Sequence, residues 1–258
     1  MSDWRIDSRG VVEVWTIDRE PRRNALTRAL VEELERHVAR VDAACNVRAV
    51  VLTGAGEKAF CAGADLKERE GMSRDDVRAW LVLLHRAFRS LERAAPVFLA
   101  ALNGVAFGGG LELALACDLR VADPGAAMAL TEVKLGIIPG GGGTQRLPRT
   151  IGAARAKELI LTGRRVLAAE ALATGLCNRI SAPGHVVAET VELAQEIAQN
   201  APLAVAQAKA AIVEGQELSW EAAAALEREK YDPLLDTQDR LEGLQAFREK
   251  RPPVYRGE

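Results

Sequence analysis

A chain of 258 residues, 48% hydrophobic and 27% charged, has the makeup of one globular domain with a substantial core, or of one domain with a small appendage. Its formal net charge of -2 supplies no bulk attraction for nucleic acid. Cys45, Cys61, Cys117 and Cys177 lack CxxC spacing and read as reduced packing thiols; with no secretory h-region and no bilayer-length apolar run, a cytoplasmic location is expected.

Residues 11–17 alternate apolar and polar positions and then turn apolar, as a strand near a sheet edge does. Pro21 and Asn24 punctuate a turn, and Leu30, Val31, Leu34, Val38 and Val41 recur at helical spacing over residues 27–44. A buried strand over 49–53 closes at Gly54 and Gly56, and residues 60–66 read as a small-residue loop. An amphipathic helix follows over 74–94, then a buried strand over 97–102. Leu119–Ala122 is a further strand and residues 127–130 a short one. Glycines 140–143 open a second glycine-led helix, and from residue 153 helix follows helix, with 178–181 the one late strand candidate. Strand–helix alternation up to about residue 140 and a helical remainder make an α/β core with an α-helical carboxy-terminal region. Trp80 and Trp220 fall at helical positions and are expected in the core; His37 and His85 are expected at the surface or half-buried.

The chemistry concentrates after the strand at 97–102. Gly108, Gly109 and Gly110 lead into an Ala/Leu-rich helix with Glu112 in its first turn. Glycine lets a ligand approach the backbone, and a helix start leaves N–H groups and positive potential at its mouth. Those groups could hold a developing negative oxygen beside a carboxylate that moves a proton. The same glycines would also serve plain strand–helix packing. Glu132, placed 132 − 112 = 20 residues on, follows apolar Ala129 and Leu130, where partial burial would raise its pKa. Two carboxylates and backbone donors suit proton removal and addition α and β to a carbonyl. Other chemistries lack their signatures. The three histidines have no metal-ligand spacing, there is no Gly-x-Ser-x-Gly elbow, and neither glycine loop carries a P-loop ending or a dinucleotide fingerprint.

Three strings resemble the enoyl-CoA hydratase/isomerase (crotonase) superfamily. They are Ala59-Phe-Cys-Ala-Gly-Ala-Asp-Leu-Lys-Glu68, Asn103-Gly-x-Ala-x-Gly-Gly-Gly-x-Glu112 and Leu135-Gly-Ile-Ile-Pro-Gly-Gly-Gly-Gly-Thr-Gln-Arg-Leu147. The segment from Arg240 to Arg251 is similar to its last helix. The resemblance spans nearly the whole chain. It implies a crotonase-type ββα spiral core over residues 1–200 carrying the substrate and catalytic site. Residues 201–258 would be a helical trimerisation region, in a homotrimer or in a homohexamer of two trimers. The implied substrate is an acyl-CoA thioester whose carbonyl oxygen is held by the N–H groups of Ala64 and Gly109. Glu112 and Glu132 match the two catalytic glutamates of the hydratase branch. Coenzyme A would lie along Arg23, Ala62, Asp65, Leu66, Lys67 and Gly140, with Phe247 and Lys250 reaching the coenzyme A of a neighbouring subunit. Coenzyme A enters as part of the substrate; no further cofactor and no metal is implied.

Within the superfamily the fuller strings look like the AU-binding 3-methylglutaconyl-CoA hydratases, whose substrate carries a second carboxylate. Arg69, Arg74 and Arg78 are the candidate cations for it. A short-chain enoyl-CoA hydratase acting on crotonyl-CoA is the alternative. In the RNA-binding relatives a row of lysines on the first helix is the suspected contact. The matching positions here are Arg28, Glu32 and Arg36, and the acid interrupting the row argues against RNA.

Overall fold

The computed structural model describes residues 3–258; Met1 and Ser2, the start of the amino-terminal segment, lie outside them. Strand β1 (Trp4–Arg9) turns through Gly10, whose φ of +69° suits glycine, and pairs antiparallel with β2 (Val12–Ile17). Helix α1 (Arg28–Ala44) begins where the Thr27 hydroxyl accepts from the Leu30 N–H, and it buries Leu30, Val31, Leu34, Val38 and Val41. Strands β3 (Ala49–Gly54) and β4 (Ala59–Cys61) follow, then the short helix α2 (Leu66–Arg69). Helix α3 (Arg74–Arg93) starts with a capping box between Ser73 and Asp76. Strands β5 (Val97–Leu102) and β6 (Val105–Phe107) lead into α4 (Gly109–Ala116), which is buried along nearly its whole length. After β7 (Leu119–Ala122) and β8 (Ala127–Ala129) come α5 (Gly143–Ile151), α6 (Ala153–Thr162), β9 (Val166–Leu167), α7 (Ala168–Thr174) and β10 (Arg179–Ile180). Four helices finish the chain: α8 (Val186–Ala198), α9 (Pro202–Gly215), α10 (Trp220–Tyr231) and α11 (Gln238–Glu249).

The strands form two sheets. One runs β1-β2-β3-β5-β7-β10 and the other β4-β6-β8-β9. All pairings are parallel except β1 with β2 and β8 with β9. The repeated passage from the large sheet to the small one, β3 to β4, β5 to β6 and β7 to β8, leaves each small-sheet strand at the mouth of a loop or helix. That arrangement builds the site. The architecture is the α/β core expected from the sequence resemblance, with helices closing the carboxy-terminal end.

Some expectations need correction. The strand at 11–17 does lie near the sheet edge, next to the edge strand β1, but its alternation does not mean exposure: β2 is buried throughout, with even Glu13 enclosed and paired to Arg40 and the Trp15 indole. The expected loop at 60–66 begins as β4 and continues with a parallel bridge between Leu26 and Ala64. Strands of two or three small residues carry no readable alternation, which is also why β6 and β9 pass unnoticed in the sequence. Trp80 is buried as expected, whereas Trp220 is 82% exposed at the start of α10. His37 is half-buried beside Trp15 and His85 is exposed.

Helix α9 is tied to the core by a buried ion pair. Lys209 of α9 places Nζ 2.9 Å from Asp118 Oδ2 and donates to the carbonyls of Leu91 and Pro96. It also lies over the Phe98 ring. Among the described residues no helix is long and apolar enough to cross a membrane.

Candidate active site

The small sheet delivers two backbone N–H groups to one spot. At the end of β6 the Gly108 N–H donates to the Ala129 carbonyl, and Gly108 takes φ +50°, which turns the chain into α4. Gly110 packs so closely on β4 that a Cβ there would lie 2.1 Å from the Cys61 carbonyl oxygen. Two glycines are thus needed for geometry, whatever else they do. On the facing segment, Leu26 donates to the Gly63 carbonyl and Asp65 donates to the Leu26 carbonyl, which fixes the peptide of Ala64 between them. A Cβ built on Gly109 would lie 3.7 Å from the Ala64 nitrogen, and one on Gly63 would lie 3.5 Å from the Gly109 nitrogen. The Ala64 and Gly109 N–H groups therefore sit side by side. Neither has an acceptor among the described residues.

Asp65 braces this loop. It caps α2 through the Lys67 N–H, and its other oxygen accepts from Arg19 at 3.1 Å. Burial alone would raise its pKa, but the bond from Arg19 holds the carboxyl below the ordinary range. Arg19 also donates to the Ala25 carbonyl, so one guanidinium ties the turn at Asn24 to the loop at Ala64.

Both glutamates are buried beside these donors. Glu112 is 2% exposed, and its Oε1 accepts from the N–H groups of Gly141 and Gly143 at 2.7 and 2.8 Å. Burial raises its pKa, while those two amides pull the other way and favour the carboxylate. Glu132 opens a short 3-10 turn and is 8% exposed, and its Oε2 has no hydrogen-bond partner among the described residues. Burial above all, with repulsion from Glu112, pushes its carboxyl up to about 7, against the pull of its own backbone N–H and the smaller pull of Arg69. The two carboxyl groups thus feel one another but live in different surroundings. One is anchored by two donors, which offset part of the upward push that burial gives its pKa. The other is poised to exchange a proton near neutral pH.

The loop that anchors Glu112 has its own support. Arg146 of α5 donates to the Gly141 carbonyl at 2.7 Å and is held in turn by both oxygens of Glu92 on α3. Sequence reading passed over Arg146, Glu92 and the amides of Gly141 and Gly143. Arg146 stands inside the glycine-rich string, so proximity hinted at it. Nothing in the sequence ties it to Glu92, 54 residues earlier.

The expected coenzyme A contacts divide. Arg23, in the left-handed region at φ +52°, accepts through its carbonyl from the Ala62 N–H, so the turn and the loop are brought together. The side chains of Arg23, Leu66 and Lys67 are exposed there. Gly140 lies against Leu81 of α3, where a Cβ would come within 2.4 Å of Cδ2. Phe247, 85% exposed, and Lys250 stand on the last helix and its cap, with no hydrogen bond to the loop at 62–67 among the described residues. On α1, Arg28 donates to the Asp76 carbonyl and Arg36 faces Glu33.

The enoyl-CoA hydratase/isomerase family model matches residues 7–258. The chain belongs to this family. The crystal structure of an enoyl-CoA hydratase from Bacillus anthracis superposes with a TM-score of 0.97 at 46% identity, covering 99% of this chain and all of that one. The human mitochondrial methylglutaconyl-CoA hydratase is 42% identical over 256 residues, 98% of this chain and 75% of that protein. The short-chain-enoyl-CoA hydratase of Clostridium acetobutylicum is 40% identical over 246 residues, 95% of this chain and 94% of that one. Hydratases of two acyl specificities thus stand at nearly equal distance from this family member.

Proposed function

We propose that the chain is an acyl-CoA hydro-lyase that interconverts 3-methylglutaconyl-CoA and 3-hydroxy-3-methylglutaryl-CoA. The observation that carries this reading is the buried, mutually sensed pair Glu112 and Glu132 beside two acceptor-free N–H groups. The thioester oxygen accepts from Ala64 and Gly109. Polarisation makes C3 electrophilic and stabilises the enolate-like charge that forms on the oxygen. Glu112, ionised and anchored, takes a proton from water as the water oxygen bonds to C3. Glu132, protonated, delivers its proton to C2. One water is added, and one proton has moved from Glu132 onto carbon while another has moved from water onto Glu112. In dehydration each step runs backward.

The Arg23 turn and the loop from Ala62 to Lys67 form the coenzyme A track, with Gly140 at its acyl end. Arg23 and Lys67 supply exposed cations for phosphate. Residues 201–258 serve assembly into trimers or a hexamer. Exposed Trp220, Tyr231, Leu241, Leu244 and Phe247 on α10 and α11 support that reading, as a monomer gains nothing from such side chains in water. Phe247 and Lys250 then face a neighbour's coenzyme A.

The test is the initial rate on 3-methylglutaconyl-CoA beside crotonyl-CoA, followed by loss of the conjugated thioester absorbance. A kcat/KM at least about tenfold higher for the branched substrate supports the reading. A preference for crotonyl-CoA makes the protein a short-chain hydratase with the same two glutamates.

A further inference from the structure

Three arginines follow the loop that carries the Ala64 N–H, and the structure separates them. Arg78 is exposed and paired with Asp75 at 2.8 Å. Arg74 opens α3 on the exposed side. Arg69 is different: it is half-buried at the end of α2, and no carboxylate or carbonyl among the described residues accepts from its guanidinium. Only its backbone is engaged, its N–H donating to the Asp65 carbonyl and its carbonyl accepting from the Met72 N–H. Arg69 is also the cation whose charge reaches the Glu132 carboxyl. A half-buried guanidinium with no acid of its own chain to pair with is free to meet a carboxylate brought by a ligand.

We propose that Arg69 is the seat of a second carboxylate on the acyl group, and so the residue that selects dicarboxylic enoyl thioesters over neutral ones. This rests on the reading of Glu112 and Glu132 as the reacting pair. In a methylglutaconyl chain a single methylene separates C3 from the carboxylate carbon. The cation that binds that carboxylate must therefore stand beside the group that works at C2 and C3. Arg69 ends the short helix that follows the Ala64 N–H, and its guanidinium has no acid partner among the described residues, whereas Arg78 is neutralised by its own helix. The planar guanidinium can meet a carboxylate with two parallel N–H donors, which a lysine cannot. A crotonyl chain has nothing to offer Arg69.

The saturated analogues glutaryl-CoA and butyryl-CoA isolate this contact, because both are unbranched, only the first carries a terminal carboxylate, and neither can add or lose water. Dissociation constants by calorimetry, at one pH, are compared for the wild type, Arg69→Lys and Arg69→Gln. The wild type is expected to bind glutaryl-CoA about 10- to 100-fold more tightly than butyryl-CoA. Arg69→Gln is expected to bring that ratio near one, and Arg69→Lys to keep part of it. Circular dichroism checks that each variant folds; should Arg69→Gln fail to fold, Arg69→Lys still has to lower the ratio. A wild-type ratio near one, or a ratio unchanged by substitution, overturns the assignment. The catalytic reading fails separately, if Glu132→Gln keeps wild-type turnover. The acyl-group reading fails separately too, if the wild type turns over crotonyl-CoA in preference.

Discussion

Replacing Glu132 with glutamine should make the protein more stable, and more so at alkaline pH. The carboxyl is held at about 7 instead of its ordinary 4.5, with burial the main cause. Below 4.5 it is protonated whether the chain is folded or not, and it contributes nothing. Between 4.5 and about 7 the unfolded chain ionises while the folded one resists, so the native state loses stability as pH rises. Above about 7 the loss levels off. The gap between 7 and 4.5, at 1.36 kcal/mol per tenfold, puts that loss at about 3 kcal/mol. For a chain of this size each kcal/mol is about 2–4 °C in melting temperature, so Glu132→Gln should gain roughly 6–12 °C from this source above neutrality. The amide introduces its own cost beside Gly108, but that cost is the same at every pH and cancels between two conditions. Thermal unfolding of both proteins at about pH 5 and about pH 8, at one protein concentration, measures the difference. The variant's advantage should be at least about 5 °C larger at the higher pH. An equal advantage at both values would mean that Glu132 titrates as an ordinary carboxylate, and the reasoning from burial would be wrong.

Gly141→Ala would set a Cβ 2.8 Å from Glu112 Oε2 and 2.9 Å from the Phe88 ring, displacing an amide that anchors the carboxylate. Loss of one charge-assisted bond of roughly 1.5–3 kcal/mol should lower kcat by about 10- to 100-fold with KM little changed, and a steady-state kcat within about twofold of wild type would contradict it. Lys209→Met leaves the Asp118 carboxylate buried without its cation and should cost roughly 3–5 kcal/mol, read from the urea midpoint. The double variant with Asp118→Leu should recover part of that loss; a midpoint unmoved by Lys209→Met would show that α9 is held by other contacts.

The parts of this protein that were legible in its sequence are the parts set by local rules. The first long helix was readable because Leu30, Leu34, Val38 and Val41 keep one face, and the buried strands β3 and β5 because they are unbroken apolar runs. The site strings were readable because a glycine-led helix and a glutamate in its first turn state their chemistry within five residues. Of the small sheet only β8 was readable, since these strands are two or three residues long and exist only through pairing with distant partners. Arg146 and Glu92 escaped for the same reason, as did the difference among Arg69, Arg74 and Arg78. Which cation is neutralised and which is left without an acid depends on side-chain partners that no spacing encodes. Trp220 was misplaced because an aromatic at a helical position looks the same whether its helix packs against its own core or faces outward.

The central claim is that one proton shared between Glu112 and Glu132 drives the chemistry in both directions. It is tested most directly by kcat/KM for hydration and for dehydration from about pH 5 to about pH 9. The singly protonated pair is the working form either way. The overall reaction takes up or releases no proton, so the two profiles must superimpose. The account predicts that both fall about tenfold per pH unit above about 7, as the second proton-binding site of the pair empties. A hydration rate that stays flat to about pH 9 would contradict it.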